Sequence, residues 1–172
     1  MAVLPVVLHP DGVLRKKCTP VEKITPEIIQ LLDDMLDTMY DHDGIGLAAP
    51  QVNQTCRVVV MDVEQGDDGS GHPIKMINPE IIAKSDAKTI LEEGCLSLPT
   101  MQVEVSRPAE VTVRYMNENG DTDELQATDL LAKCIQHEID HLDGVLIFDY
   151  LTSLKRDMVL RRYQKNMRQS GQ

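Results

Sequence analysis

Two histidines four residues apart, with a glutamate directly after the first, form the most informative pattern in this chain: His137-Glu138-Ile139-Asp140-His141. On an α-helix, residues four apart lie on one face, so the two imidazoles stand side by side. Such a pair binds a divalent metal, and the adjacent glutamate can act as a base toward a metal-bound water. The same pattern also occurs on ordinary helices that bind no metal, so other residues must support this interpretation.

A hydrolytic metal site needs a third protein ligand and an open position for water. The large zinc peptidase families usually take that ligand from a downstream Glu or His, but neither residue type follows His141. An upstream ligand is therefore favoured, and Cys95, between Gly94 and Leu96, is the best candidate. The alternative is that Cys95 is an inert buried thiol, which is the commoner role of a lone cysteine.

Three segments of the chain resemble the signature motifs of bacterial peptide deformylases. They occur in the order and at the spacing of that family, and the resemblance runs from about Val7 to the last predicted helix. A single motif of this kind would be a weak indication, whereas three in order in a chain of family size identify a candidate member. The segments are residues 44–51 (GIGLAAPQ), 93–97 (EGCLS) and 136–141 (QHEIDH).

The resemblance implies that Cys95, His137 and His141 hold one divalent metal ion, with water at the fourth position. A metal in this position lowers the pKa of its bound water and supplies hydroxide near neutral pH. The family implies Fe(II) as the physiological ion. The donor set itself also suits zinc, nickel or cobalt, so the ligands alone leave the metal open.

The resemblance also assigns the catalytic roles and the reaction. Glu138 is the general base, and the Gln51 side chain and the Leu96 backbone N–H stabilise the developing oxyanion. The implied substrates are newly synthesised polypeptides with an N-terminal formyl-methionine, from which the enzyme releases formate.

The first motif is expected to leave room for a peptide along its backbone, because Gly44 and Gly46 carry no side chain. Both are also ordinary turn glycines. By resemblance, an apolar pocket takes the methionine side chain, although its candidate residues could equally be core residues. Glu93 is expected to form a supporting ion pair with Arg107. The residues assigned to the substrate site are Gly44, Ile45, Gly46, Leu91, Glu93, Leu130 and Cys134.

Two departures from the family pattern lie near this site. Many bacterial members carry Glu-x-Arg after the proline of the second motif, where this chain has Thr100-Met101-Gln102. Lys133 stands one turn before His137, where relatives often have an apolar residue. Its stem can line the methionine pocket while its ammonium reaches water. We therefore expect an altered preference at distal peptide positions with the formyl-methionine requirement intact.

Length and composition predict one catalytic domain over residues 1–172. No apolar run is long enough to span a membrane, and no secretory or organellar presequence is recognisable, so a bacterial cytoplasmic protein is expected. Four cysteines without paired spacing suit a reducing compartment, although an even count also permits two disulfides. The net charge of −11 argues against nucleic-acid binding by most of the surface, and no specific DNA is expected as a partner.

The C-terminal segment, residues 154–172, has a charge of the opposite sign. It holds six basic residues and one acidic residue, a local charge of +5, so the remainder of the chain is −16. A solvated helix face is one interpretation. The other is a docking helix for an anionic partner, and in the deformylase family the C-terminal helix is associated with ribosome binding.

Apolar spacing and turn residues predict an α+β fold. A first helix is expected to begin at Pro26 after an N-cap at Thr25. The HExxH helix is expected at 129–142, capped by Thr128 and ended near Gly144. The family resemblance implies mainly antiparallel sheets packed around that central helix, with a C-terminal helix. Strands are predicted at residues 58–61, 74–77, 111–115, 124–127 and 145–148, with a hairpin turn at 117–120.

Two other functions compete with deformylation. One is a small zinc peptidase, which the missing downstream ligand and the two other motifs disfavour. The other is a non-catalytic, metal-bound module that docks on ribosomes. Glu138 and Gln51 disfavour that module, because a structural metal site needs neither a base nor an oxyanion donor.

Overall fold

Three α-helices, three 3-10 helices and seven strands build the fold over residues 2–171, the part of the chain that the computed structural model describes. The α-helices are α1 (Pro26–Asp41), α2 (Asp129–Leu142) and α3 (Ser153–Gln169). The 3-10 helices are Gly12–Arg15, Ala49–Val52 and Ile147–Tyr150. The strands are β1 (Gly46–Ala48), β2 (Val58–Met61), β3 (Ile74–Lys84), β4 (Lys88–Cys95), β5 (Leu98–Pro108), β6 (Glu110–Met116) and β7 (Thr122–Thr128).

The strands form two antiparallel sheets, as the α+β prediction requires. One has five strands in the order β1-β2-β3-β6-β7, and the other is the long hairpin β4-β5. Both β1 and β4 have only one hydrogen-bonded neighbour among the described strands, so each leaves one backbone edge free. The first signature motif includes β1, and the second begins in the last residues of β4.

Strand β2 explains how the five-stranded sheet is covered on both faces. Its four residues are fully buried, which is why this strand is continuously apolar rather than alternating. Val59 and Met61 pack in the cluster shared with α2, whereas Val58 and Val60 pack in the cluster shared with α1. The sheet therefore lies between the two helices and fixes α2 in the middle of the molecule.

Helix α1 begins as predicted. Thr25 accepts a hydrogen bond from the Ile28 backbone N–H at 3.3 Å, and Pro26 is the first helical residue. Leu32, Met35 and Met39 are fully buried against the sheet, in the stripe that the helical spacing indicates.

Helix α2 has the predicted bounds, but its N-terminus is not capped as predicted. The Thr128 hydroxyl does not cap the helix and instead donates to the Asp129 carboxylate at 3.3 Å. Gly144 follows the helix with φ +75°, a conformation suited to glycine. A Cβ there would meet the Arg15 backbone, so this glycine also permits a close approach of two chain segments.

The strand predicted at 145–148 is wrong. Residues Ile147–Tyr150 form a 3-10 helix, in which the Asp149 carboxylate accepts from the Leu146 backbone N–H at 2.9 Å. Leu146, Ile147 and Phe148 are all buried in a cluster with β5 and α3. Burial of consecutive apolar residues in a tight turn gives the same sequence signal as a buried strand.

The predicted strand at 74–77 is also longer in the structure, because β3 continues to Lys84. The hairpin β4-β5 and the short β1 were not among the predicted strands. All four cysteines are free thiols. Over residues 2–171, no helix has the length and apolar character needed to cross a membrane.

Candidate metal centre and active site

Cys95, His137 and His141 meet at one point between the two sheets. Cys95 ends β4, and the histidines project from one face of α2. The Cys95 Sγ lies 3.3 Å from the His141 Nε2, which lies 3.2 Å from the His137 Nε2. All three ligand atoms lie within 4.8 Å of one another. Tetrahedral bonds of about 2.0–2.3 Å place ligand atoms roughly 3.3–3.8 Å apart, so this cluster fits one divalent metal ion.

A carboxylate behind His137 fixes the orientation of its ring. The Nδ1–H of His137 donates to Glu93 at 2.9 Å, which directs Nε2 toward the ligand cluster. Arg107 in turn holds Glu93 by two hydrogen bonds, at 2.6 and 2.9 Å. The expected Glu93–Arg107 pair is therefore present. Arg107 also donates to Asp140, which accepts from the Tyr150 hydroxyl at 2.6 Å, so Asp140 serves this support and not the metal face.

Burial strengthens the electrostatic interactions among the groups that support His137. Glu93 and Arg107 are both nearly inaccessible to solvent. Burial alone would raise the pKa of Glu93, but its hydrogen bonds with His137 and Arg107 lower it to about 2. Burial also opposes the charge of Arg107, yet Glu93 and Asp140 raise its pKa. Glu93 is thus ionised near neutral pH, and its carboxylate presents a negative charge to His137.

Glu138 is buried beside the ligand cluster, and its Oε1 has no hydrogen-bond partner among the described residues. Burial raises its pKa to about 7. Its other oxygen approaches the first motif so closely that a Cβ on Gly46 would lie 2.5 Å from Oε2. Gly46 therefore gives the carboxylate its space, and an unpartnered buried carboxylate of this kind is suited to exchange a proton.

Gln51 is held rigidly next to the cysteine ligand. Its Oε1 accepts from the Ala48 backbone N–H at 3.0 Å, which leaves the amide nitrogen as the group that faces the site. The Nε2 donates to the Ser97 hydroxyl at 3.1 Å and lies 3.5 Å from the Cys95 Sγ. Backbone contacts from the N-terminal segment hold the same region, with Val7 N–H donating to Gln51 O at 2.7 Å.

A cavity of about 330 Å³ opens onto this cluster between the free edges of β1 and β4. Most of the sequence-predicted site residues line it. His141 is buried behind the lining, whereas Leu91 and Leu130 are 37% and 38% exposed and do not line it. The carboxylate of Glu93, assigned to the substrate site, is directed to Arg107 and His137. The lining residues are Asp43, Gly44, Ile45, Gly46, Gln51, Glu93, Gly94, Cys95, Leu96, Gln102, Lys133, Cys134, His137 and Glu138.

Several residues of the site were not predicted from the sequence. Ser97 holds the Gln51 amide, and Asp140 and Tyr150 complete the support around Arg107. Ser97 lies within the second motif, so that motif offered a signal for it. Tyr150 carried no such signal, because its place depends on a 3-10 helix that the sequence did not indicate.

A largely buried Cys/His/His cluster with a neighbouring carboxylate and an open cavity is an arrangement typical of metallohydrolases. The sequence profile of the family described as Polypeptide deformylase matches residues 3–157. A peptide deformylase of a Bradyrhizobium species is 53% identical over the full length of both chains. A Rhizobium meliloti peptide deformylase is 48% identical, with 99% of this chain and 98% of that protein covered. The chain belongs to the peptide deformylase family of hydrolases.

Solved structures agree with this family assignment. The crystal structure of a Legionella pneumophila peptide deformylase has a TM-score of 0.92 at 40% identity and covers 99% of both chains. A structure of the Ehrlichia chaffeensis peptide deformylase in complex with actinonin has a TM-score of 0.91 at 40% identity, covering 98% of this chain and 99% of that one. The α+β architecture, including the C-terminal helix, is thus the architecture of the family.

Proposed function

We propose that this enzyme hydrolyses the amide bond between the formyl group and the terminal methionine of new polypeptides, releasing formate and a free amine. The observation that carries the proposal is the unpartnered Glu138 carboxylate, buried beside a three-ligand cluster at the base of an open cavity. A purely structural metal site has a closed ligand set and needs no neighbouring base.

Cys95, His137 and His141 would hold the metal. When bound, the metal supplies a Lewis acid and a water of lowered pKa. Glu138 then takes the proton of the attacking water and passes it to the departing amine, a role for which a pKa near neutrality is well matched. We expect Fe(II) as the resident ion, with nickel or cobalt as active substitutes and zinc as a further occupant.

Gln51 would stabilise the negative charge that develops on the formyl oxygen. Its amide cannot flip without losing the hydrogen bond from the Ala48 N–H, so an N–H donor is directed at the cavity before the substrate arrives. The Leu96 backbone N–H, beside Cys95, is the proposed second donor. Donors fixed in advance need no reorganisation during the reaction, which is the main source of their effect.

The free edges of β1 and β4 would bind the substrate backbone. A peptide extended between Ile45 and Gly94 can pair with main-chain groups on both sides, which gives affinity with little dependence on side chains. Such binding suits an enzyme that must act on most new proteins. We propose that the methionine side chain contacts Ile45 and Cys134 in the cavity wall. The other proposed contacts are Leu91 and Leu130, which lie close in sequence to residues that line the cavity.

The test is formate release from a formyl-Met-Ala-Ser peptide without oxygen, with iron- or nickel-loaded protein and the Glu138→Ala variant measured alongside. We expect turnover by the wild type and a loss of roughly 100- to 10,000-fold in the variant at unchanged metal content. Absence of formate from folded, metal-loaded wild type would reject deformylation.

Lys133 offers a test of the peptide preference. It lines the cavity, and its ammonium donates to the Glu92 carbonyl at 3.3 Å. We expect Lys133→Ile to change the relative turnover of formyl-Met peptides with acidic and neutral residues after the methionine. Identical preferences in both proteins would contradict this role.

We also propose that α3 contributes to ribosome association through its basic residues. Co-sedimentation of the enzyme with ribosomes at low and high salt tests this, because phosphate contacts weaken as salt rises. Removal of Lys165 and Arg168, which are exposed near the end of α3, is expected to reduce the bound fraction. Association that is unaffected by salt and by these changes would exclude the proposal.

A further inference from the structure

A groove beside the site cavity joins it at one residue. The groove, of about 850 Å³, runs between the β4-β5 hairpin and α3, and Gln102 lines both the groove and the site cavity. The Gln102 amide lies against β4, where a Cβ on Gly94 would be 2.7 Å from Nε2. A chain that leaves the cavity across Gly94 therefore meets Gln102 and then the groove.

The walls of the groove combine exposed apolar and basic side chains. Ile90 on β4 is 65% exposed and Met158 on α3 is 60% exposed, which are high values for large apolar residues. Lys155, Arg161 and Arg162 line the α3 side, against a single acidic lining residue, Glu104.

Carboxylates of the described chain do not neutralise the three basic residues of the α3 wall. Within residues 2–171, none of Lys155, Arg161 and Arg162 takes part in a salt bridge. Five basic residues elsewhere do pair with carboxylates, namely Arg15, Arg57, Lys75, Arg107 and Arg114, whereas the other basic residues of the described chain also form no salt bridge. The groove thus has a net positive charge available to a ligand, in a protein whose remaining surface is strongly acidic.

We propose that the groove binds the downstream part of the formylated substrate and favours segments that carry acidic and apolar residues. This inference rests on the proposed function, since it takes the substrate terminus to lie at the metal centre. Continuity through Gln102 gives the route, and the charge of the α3 wall gives the preference. The net charge of −11 otherwise disfavours the approach of an acidic chain, so the basic wall is the feature that would favour it here.

The experiment compares three peptides: formyl-Met-Ala-Ser, the same tripeptide extended by a segment of Glu and Leu, and the same tripeptide extended by a segment of Lys and Leu. For the wild type at low salt, we expect a KM for the acidic extension about three- to ten-fold lower than for the tripeptide, as a few exposed ion pairs can supply. The basic extension should bring no gain, and kcat should be similar for all three.

A matched pair of variants locates the effect. Lys155→Ser with Arg162→Ser removes two charges from the groove wall, whereas Lys165→Ser with Arg168→Ser removes two from the same helix outside that wall. The groove variant should lose the advantage of the acidic extension, and the outer variant should retain it. Tripeptide kinetics should be the same in all three proteins.

Two results would overturn the inference: no difference between the extensions in the wild type, or an equal loss in both variants. The second result would assign α3 to general attraction of anions, such as ribosomal RNA. Failure of the proposed function is distinct, because it appears as no formate from the tripeptide. Fluorescence anisotropy of a labelled, unformylated acidic peptide with both variants then still tests the groove.

Discussion

Helices α2 and α3 both carry many charged residues, but they place them in opposite surroundings. In α2, His137 and Glu138 are buried, and fixed groups such as Glu93 surround them. In α3, Lys155 and Arg162 are exposed and stand outside the ion pairs of the described residues. A buried charge interacts strongly and needs partners in defined positions, whereas an exposed charge interacts weakly and over a broad area. The comparison separates a region suited to chemistry from one suited to recognition.

The largest effect should come from breaking the buried pair behind His137. Arg107→Met leaves the buried Glu93 without its cationic partner, and removal of one partner of a buried ion pair typically destabilises a protein by about 3–5 kcal/mol. Urea denaturation measures this loss. The control is Arg114→Met, which removes an exposed pair with Glu124 and should cost at most about 1 kcal/mol. Equal losses in the two variants would contradict the contrast between buried and exposed charge.

The second largest effect should come from removing the Gln51 side-chain amide, a neutral group that is held rigidly in the site. Gln51→Ala should lower kcat by roughly 100- to 1000-fold, because a fixed oxyanion donor is lost. Metal content and fold should be unchanged, as shown by metal analysis and circular dichroism. Ser97→Ala frees the Gln51 amide without removing it and should give a smaller decrease in kcat. A Gln51→Ala enzyme that changed only in KM would assign Gln51 to substrate binding.

A smaller effect should come from disturbing the close approach of strand β1 to the Glu138 carboxylate. Gly46→Ala places a Cβ 2.5 Å from Glu138 Oε2, so the strand or the carboxylate must shift. We expect a loss of stability of about 1–3 kcal/mol, together with a lower kcat. Gly12→Ala is the control, because no atom lies within 4 Å of the added Cβ. Similar behaviour of the two alanine variants would show that the close approach has no consequence.

The smallest effect should come from removing one hydrogen bond to the Asp62 carboxylate, which lies away from the site. Burial would raise the pKa of Asp62, but hydrogen bonds from the Tyr40 hydroxyl and from the backbone of His72 and Glu64 lower it. A lowered folded pKa means that this stabilisation is present above the unfolded value, about pH 4, and is lost as pH falls through the folded pKa. Tyr40→Phe should therefore cost about 1 kcal/mol at neutral pH and less in acid. Denaturation at several pH values measures it, and a difference independent of pH would contradict this account.

The sequence predicted the centre of the molecule better than its periphery. The α2 bounds, the ligand set of Cys95, His137 and His141 and the Glu93–Arg107 pair are all found together in the structure. Spacing on a helix determines which side chains share a face, so His137, Glu138 and His141 were accessible to sequence reasoning. Cys95 and the Glu93–Arg107 pair lie on strands and were expected from the family resemblance. Their exact support was not, because Asp140 and Tyr150 meet Arg107 only through tertiary folding.

The prediction was least successful where apolar residues form compact turns or long twisted hairpins. Leu146, Ile147 and Phe148 gave a strand signal, although they are buried in a 3-10 helix. The hairpin β4-β5 alternates buried and exposed residues over most of β5, yet its polar and charged outer face obscured its length. Side-chain pattern reports burial, and burial alone does not specify the backbone conformation that achieves it.

The three proposed metal ligands come from separate parts of the chain: Cys95 from the two-stranded hairpin, and the two histidines from a helix packed on the five-stranded sheet. An ion held by all three would therefore be a crosslink between two halves of the fold, closing the long chain segment that separates them. Loss of the ion would remove that crosslink as well as the chemistry. Metal supply in the cell would then set the lifetime of this protein together with its activity, since an unloaded chain opens more often to proteolysis.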